Sequence, residues 1–196
     1  PNAFGSDPKY VHPQPDTQVG TPVPGTGGGA GAGTGTGINR IFGTPNADSL
    51  QGTAGTDLIL GLGAKDSLTG GASNDTLVGG AGKDQLSGGV GADLFVFNNV
   101  KDKGDRILDF NKQEGDKLGF DLDGFAGLRS GILKSSQFAK GTGAKDRSDR
   151  IIYNQRNGAL YYDRDGKGGV GQVQIATFGG KPALAASDII ISATPF

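Results

Sequence analysis

The sequence contains no cysteine, no methionine and no tryptophan, and its single histidine is His12. Without cysteine the chain can form neither a disulfide framework nor a thiolate metal site. No run of about 18 consecutive apolar residues is present, so we expect no transmembrane segment. The formal net charge of −1 argues against nucleic acid or an anionic membrane as the main partner. The first residues also lack the basic start and apolar run of a secretory signal peptide.

Glutamate is nearly absent, whereas glycine and aspartate are abundant. Of the 20 acidic residues only Glu114 is a glutamate, and 38 of the 196 residues are glycine. Glycine and aspartate favour turns and glutamate favours helices, so this composition predicts short strands joined by turns. Hydrophobic residues make up only 34% of the chain. We therefore expect a thin core and a second source of stability.

Residues 1–37 have the composition of a linker. Six of the nine prolines precede a tract rich in glycine, alanine and threonine at residues 25–37. Such a segment buries too little apolar surface to offset the entropy of ordering. Its glycines form no GxxxxGK[ST] phosphate-binding loop. His12 lies inside this segment, and we assign it no catalytic or ligand role.

From residue 43 to residue 96 the sequence repeats every nine residues, six times without a gap. Position one of each repeat is glycine, position six is aspartate and position eight is a large apolar residue. The aspartates are Asp48, Asp57, Asp66, Asp75, Asp84 and Asp93, and the apolar residues are Leu50, Ile59, Leu68, Leu77, Leu86 and Phe95. A degenerate repeat at residues 34–42 has Asn39 at the aspartate position and Ile41 at the apolar one.

Nine residues provide one short strand and one turn, because a helix plus a strand needs more. Two repeats then form one coil of a flattened right-handed spiral, with odd repeats in one parallel sheet and even repeats in the other. Strands within a sheet stack about 4.8 Å apart, and the two sheets lie about 10 Å apart. The sequence therefore predicts an all-β fold, a parallel β-roll in which residues eighteen positions apart are stacked neighbours.

This stacking places the aspartates in two columns along the edges of the roll. One column contains Asp48, Asp66 and Asp84, and the other contains Asp57, Asp75 and Asp93. Like charges at strand spacing repel, so a bridging cation is expected. Carboxylates and turn carbonyls suit Ca²⁺, which accepts flexible oxygen coordination, whereas Mg²⁺ demands octahedral geometry and Zn²⁺ prefers histidine or cysteine.

The repeat resembles GGxGxDxUx, the calcium-binding nonapeptide of the RTX proteins. The resemblance implies that each Ca²⁺ lies between two stacked turns, held by their aspartates and by backbone carbonyls of positions one to four. By register, four sites have two aspartates, 48/66, 57/75, 66/84 and 75/93, and two terminal sites pair Asn39 with Asp57 and Asp84 with Asp102. We therefore expect about four to six ions. The implied turn glycines are Gly52, Gly55, Gly61, Gly63, Gly70, Gly71, Gly79, Gly80, Gly82, Gly88, Gly89 and Gly91.

Several turns depart from the RTX pattern. Thr44 and Asn46 replace glycines in the first turn, Leu62 and Ala64 do so in the third, and Ser73 does so in the fourth. We expect the early sites to be weaker than the site between residues 70–75 and 88–93.

The region after the repeats continues the resemblance. Residues 105–120 are similar to the DxIxDFxxGxDxI segment of serralysin-type proteases, which implies that Asp105, Asp109 and Asp116 close the last calcium site or cap the roll. Residues 158–191 resemble the C-terminal module of RTX proteins exported by type I systems, which carry an uncleaved export signal near the C-terminus. The resemblance implies a partner in the type I secretion machinery and an extracellular or cell-surface location.

We divide the chain into a linker (1–37), a calcium-binding β-roll (38–100) and a C-terminal β-rich capping and secretion domain (101–196). In the last domain we predict an antiparallel meander with strands at 150–153 and 159–162 around an Asn157–Gly158 turn, a strand at 170–178 and a buried strand at 189–191. Short helices are predicted at 135–139 and 182–186. Asp163–Gly166 begins like an EF-hand loop, but the twelfth position is Gln174 rather than glutamate, so we favour a hairpin turn.

Nothing in the chain predicts catalysis, because it has no nucleophile motif, no HExxH sequence and aspartates already assigned to metal. An upstream catalytic domain is compatible with the linker. The leading hypothesis is a calcium-folded module that carries a type I export signal. The alternative is a surface or adhesion module that binds acidic polysaccharide through Lys65, Lys83 and Lys101, which are eighteen residues apart, as a resemblance to mannuronan epimerase repeat modules suggests. For these lysines we favour the simpler interpretation that they balance charge and aid solubility.

Overall fold

The computed structural model describes residues 37–193 as fifteen short strands and three single-turn 3₁₀ helices. The strands are β1 (Asn39–Phe42), β2 (Ser49–Gln51), β3 (Asp57–Leu60), β4 (Ser67–Ala72), β5 (Thr76–Val78), β6 (Gln85–Val90), β7 (Leu94–Phe97), β8 (Asp105–Ile107), β9 (Lys117–Asp121), β10 (Gly131–Ile132), β11 (Phe138–Lys140), β12 (Ile151–Asn154), β13 (Ala159–Tyr162), β14 (Val173–Phe178) and β15 (Ile189–Ser192). The 3₁₀ helices are Leu122–Gly124, Ser135–Gln137 and Ala186–Asp188. Within this described range no helix has the length and apolar character needed to cross a membrane.

The strands form two sheets that alternate along the repeats. The first sheet has the order β1-β3-β5-β7-β9-β15-β10, and the second has the order β11-β12-β13-β14-β8-β6-β4-β2. From β1 to β7 every pairing is parallel and joins residues eighteen positions apart, such as Leu50 with Leu68 and Ile59 with Leu77. The predicted β-roll and its register are confirmed.

The core of the roll consists of one side chain from each repeat. Ile59, Leu68, Leu77, Leu86 and Phe95 are at most 1% exposed and belong to one hydrophobic cluster. Each lies within a repeat strand, where successive side chains face opposite sides of the sheet. The repeats therefore bury little apolar surface per coil, as the composition predicted.

Both sheets continue past the last repeat without a break. β8 pairs with β6 through Leu86 and Ile107, and β9 pairs with β7 through Phe95 and Leu118. β14 then stacks in parallel on β8, and β15 stacks in parallel on β9. The segment after residue 100 thus adds strands to both sheets at the C-terminal end of the roll.

The C-terminal part, which we call the cap (residues 101–193), has a much thicker core than the repeats. β12, β13 and β14 form the predicted antiparallel meander. Aromatic rings fill the space beneath it, with ring centroids 4.9 Å apart for Phe120 and Phe125 and 5.1 Å apart for Phe125 and Tyr162. Such edge-to-face pairs add stability beyond their buried area.

Three local predictions in the cap differ from the structure. Of the helix predicted at residues 182–186, residues 182–185 are not helical, and a 3₁₀ helix begins only at Ala186, where the Ala185 N–H donates to Asp188 Oδ2. Only Ser135–Gln137 of the other predicted helix forms, and Phe138 already starts β11. The β12–β13 hairpin has a four-residue loop rather than a two-residue turn. The predicted linker lies outside the described residues except for Gly37.

Candidate metal centre

The repeat aspartates form a hydrogen-bonded ladder along each edge of the roll. The backbone N–H of each aspartate donates to Oδ1 of the aspartate one coil later. The Asp66 N–H donates to Asp84 Oδ1 at 2.8 Å, and the Asp75 N–H donates to Asp93 Oδ1 at 2.9 Å. The same contact joins Asp48 with Asp66, Asp57 with Asp75, Asp84 with Asp105 and Asp93 with Asp116. The ladder satisfies one oxygen of each carboxylate and fixes the direction of the other.

Four of these carboxylates have a buried second oxygen without a hydrogen-bond donor. They belong to Asp66, Asp75, Asp84 and Asp93, each only 1% exposed. Burying an ionised oxygen with no partner is strongly unfavourable. Within the described residues, these four oxygens therefore mark places where a positively charged ligand is needed.

Backbone carbonyl oxygens of the stacked turn lie close to the unpartnered carboxylate oxygens. A Cβ at Gly61 would lie 2.5 Å from Asp66 Oδ2 and 2.6 Å from the Gly79 carbonyl oxygen. A Cβ at Gly70 would lie 2.4 Å from both Asp75 Oδ2 and the Gly88 carbonyl oxygen. Glycine at position one is thus required because no side chain fits between the stacked oxygens.

The other predicted turn glycines fall into two groups. Position two is left-handed at Gly71, Gly80 and Gly89, with φ of 119°, 87° and 96°, a conformation that glycine adopts without strain. A Cβ on Gly52, Gly79, Gly82, Gly88 or Gly91 would also come within 3 Å of an oxygen in its own or the stacked turn. Gly55 and Gly63 have no contact closer than 3.8 Å, so space does not require glycine at these two predicted site positions.

The donor set consists of oxygen atoms only, which fits Ca²⁺. Residues 37–193 contain no group of three or more histidine, cysteine, aspartate or glutamate side chains arranged to hold a metal. Any ion in the turns must therefore take part of its coordination from backbone carbonyls, as Ca²⁺ commonly does. Asp66 and Asp84 with the Gly79 carbonyl, and Asp75 and Asp93 with the Gly88 carbonyl, are the residues that would hold it.

Comparisons with known proteins agree with this geometry. A family model described as the RTX calcium-binding nonapeptide repeat matches residues 33–66 and 60–95. The solution structure of the AlgE6R3 subunit from the Azotobacter vinelandii mannuronan C5-epimerase is 31% identical, with a TM-score of 0.53 over 78% of this chain and 82% of that one. The chain belongs to the RTX family. A search of curated protein sequences gives no match.

The RTX ladder extends beyond the six repeats, and its register changes there. The residue stacked on Asp84 is Asp105 rather than the predicted Asp102, because β8 pairs with β6 at an offset of 21 residues. Asp116 takes the equivalent place above Asp93. Asp102 is buried nearby, where its carboxylate accepts the Asn99 N–H.

The remaining predicted ligands have protein partners. Asn39 donates its side-chain amide to Asp57 Oδ1 at 2.7 Å. Asp109 accepts the backbone N–H groups of Gly88 and Gly89, each at 3.0 Å, and it also accepts the Ser87 hydroxyl. Asp109 therefore binds the last repeat turn to the cap.

Two further sequence predictions concern the surface. Lys65 and Lys83 are both exposed in stacked turns, as predicted. Lys101 does not continue this row, because the register change puts Gly104 next to the Lys83 side chain.

In the EF-hand-like loop, Asp163 Oδ1 accepts the N–H groups of Asp165 and Gly166, which is the hydrogen bonding of a turn.

Burial raises the pKa of the column aspartates Asp66, Asp75 and Asp93. Desolvation is the main cause, and the ionised neighbours in the column add repulsion. The pKa rises to about 7 at Asp75 and to about 6 at Asp66 and Asp93. Burial likewise raises the pKa of Asp105 to about 7. Without a cation, the folded roll thus holds protons more tightly than the unfolded chain.

This shift predicts how the calcium-free protein responds to pH. Raised folded-state pKa values stabilise the fold below about pH 4, the unfolded aspartate value, and this contribution is lost as the pH rises through 6 to 7. In calcium-free buffer the β signal in circular dichroism should therefore increase on acidification from about pH 8 to about pH 5. With saturating Ca²⁺ the carboxylates are held ionised, and the increase should disappear. Loss of β signal on acidifying the calcium-free sample would contradict this prediction.

Proposed function

We propose that this chain is a non-enzymatic calcium-binding module that folds when Ca²⁺ fills its aspartate columns, in a protein exported by a type I system. The observation that carries the proposal is the set of four buried carboxylate oxygens without donors. A chain that buries these oxygens with no cation loses solvation energy that its thin repeat core replaces poorly. Membership of the RTX family supports Ca²⁺ as the cation.

The mechanism is a coupling between metal binding and folding. Extracellular calcium modules have dissociation constants of about 10⁻⁴–10⁻³ M, so the columns would be empty in the cytosol and filled outside the cell. Because the complete turn pairs exist only in the folded roll, the binding free energy becomes folding free energy. The chain would then stay unfolded, and able to pass through an export channel, until it reaches external calcium.

Calcium titration tests this proposal directly. We expect the full chain in chelator to give a coil-like circular dichroism spectrum over the repeats, and millimolar Ca²⁺ to produce a cooperative gain of β signal. Mg²⁺ at the same concentration should produce much less, because it keeps its waters and demands octahedral geometry. A repeat region that is fully folded in chelator, with no response to Ca²⁺, would overturn the proposal.

The export part of the proposal needs a separate experiment. A reporter fused before residues 1–196 should reach the medium of a bacterium that contains a type I exporter, and it should stay inside an exporter-deficient strain. Removal of residues 158–196 should retain the reporter in the cell, because the family resemblance places the signal in this region. Secretion that is unaffected by this deletion would contradict the export role.

A second candidate function is binding of acidic polysaccharide. Lys65 and Lys83 are exposed on stacked turns, and one similar solved structure is a subunit of a mannuronan C5-epimerase. We expect the double substitution Lys65→Gln and Lys83→Gln to weaken binding to polymannuronate in calcium buffer severalfold. The matched control is Lys134→Gln with Lys140→Gln, two exposed lysines in the cap. Equal binding by both variants and the parent chain, measured by affinity electrophoresis, would exclude this function for the lysine pair.

A further inference from the structure

The six repeat turns have two different conformations at position two. In the last four turns this residue is left-handed: Leu62 has φ of 75°, and Gly71, Gly80 and Gly89 have φ of 119°, 87° and 96°. Among the described residues with positive φ, Thr44 and Thr53 do not occur, so the first two turns follow another path. A β-branched residue strongly avoids the left-handed region, which explains why the turns that contain threonine differ.

The threonine turns supply the donors that the other turns lack. Thr44 donates to Asp48 Oδ2 from its backbone N–H at 2.6 Å and from its hydroxyl at 2.9 Å. Thr53 donates to Asp57 Oδ2 in the same way, at 2.7 Å and 3.1 Å. The corresponding oxygens of Asp66 and Asp75, one coil later, have no donor.

The repeat before the first coil has a neutral amide where the later repeats have a charged carboxylate. At the aspartate position of the preceding coil, Asn39 donates its side-chain amide to Asp57 Oδ1. Both oxygens of Asp57 are therefore hydrogen-bonded by protein groups. No ionised neighbour precedes Asp57 in its column within the described residues.

We propose that Thr44 and Thr53 close the first two turns with their own hydrogen-bond donors, so that the calcium ladder of this module begins at Asp66 and Asp75. This inference rests on the proposed calcium function. It places the first calcium sites one coil later than the pairs 48/66 and 57/75 that the sequence predicts. The pairs 48/66 and 57/75 are closed without an ion, and the open oxygens lie at 66/84, 75/93, 84/105 and 93/116. Within the described residues, β1 and β2 are the end strands of the two sheets, so the coil closed by threonine lies at the end of the stack that the structure describes.

Counting bound ions tests this inference. Native mass spectrometry of the full chain in calcium should give the same number of Ca²⁺ ions for the parent and for Asp48→Asn, because asparagine still offers an oxygen to the Thr44 donors. The matched variant Asp66→Asn, one coil later in the same column, should lose one ion. Loss of an ion from Asp48→Asn would overturn the inference.

A second variant keeps the test decisive if Asp66→Asn does not fold. Replacing both Thr44 and Thr53 by glycine removes the hydroxyl donors and allows the left-handed turn, so the double variant should bind one or two additional Ca²⁺ ions. An unchanged ion count in this variant would also overturn the inference. A parent chain that binds no calcium would instead refute the proposed function itself, so the two failures are distinguishable.

Discussion

The structure depends on one geometrical fact about aspartate in a stacked turn. Strands one coil apart are close enough for a backbone N–H to reach the next aspartate, but each carboxylate has two oxygens and receives only one such donor. The second oxygen is buried against carbonyl groups, which cannot donate. The turn is therefore stable only when a cation or a proton, or in the first coil a threonine, occupies the space beside that oxygen.

The roll and the cap are stabilised in different ways. Each repeat buries one apolar side chain, whereas the cap packs several aromatic rings and an antiparallel meander around them. Because hydrophobic stabilisation follows buried apolar area, the cap has most of the metal-independent stability. Under the proposed function, the repeats would derive theirs from the neutralisation of the aspartate columns by Ca²⁺. This division explains how a chain with few hydrophobic residues forms one continuous pair of sheets.

The sequence predicts the roll better than the cap for a physical reason. A constant nine-residue period fixes which residues stack, so the register of eighteen follows from the positions of Asp48 to Asp93 without further information. After Phe97 the turns lengthen, and Asp84 stacks on Asp105 while Asp93 stacks on Asp116. A nine-residue period does not reveal the length of the loop that follows the last repeat. The predicted stacking of Lys101 on Lys83 and of Asp102 on Asp84 is therefore wrong by three residues. The helix predicted at residues 182–186 is replaced by a single 3₁₀ turn at Ala186–Asp188, which directly precedes β15.

The cap also determines the last part of the metal ladder. Asp105 begins β8, which is paired on one side with the repeat strand β6 and on the other with the cap strand β14. Asp116 directly precedes β9, which lies between β7 and β15 in the same manner. The two carboxylates that complete the final turns are thus positioned by strands that the hydrophobic core of the cap holds in place. A change in cap packing must therefore reach the last aspartate turns through the backbone of two strands, and the hydrophobic core and the aspartate columns are coupled at this junction.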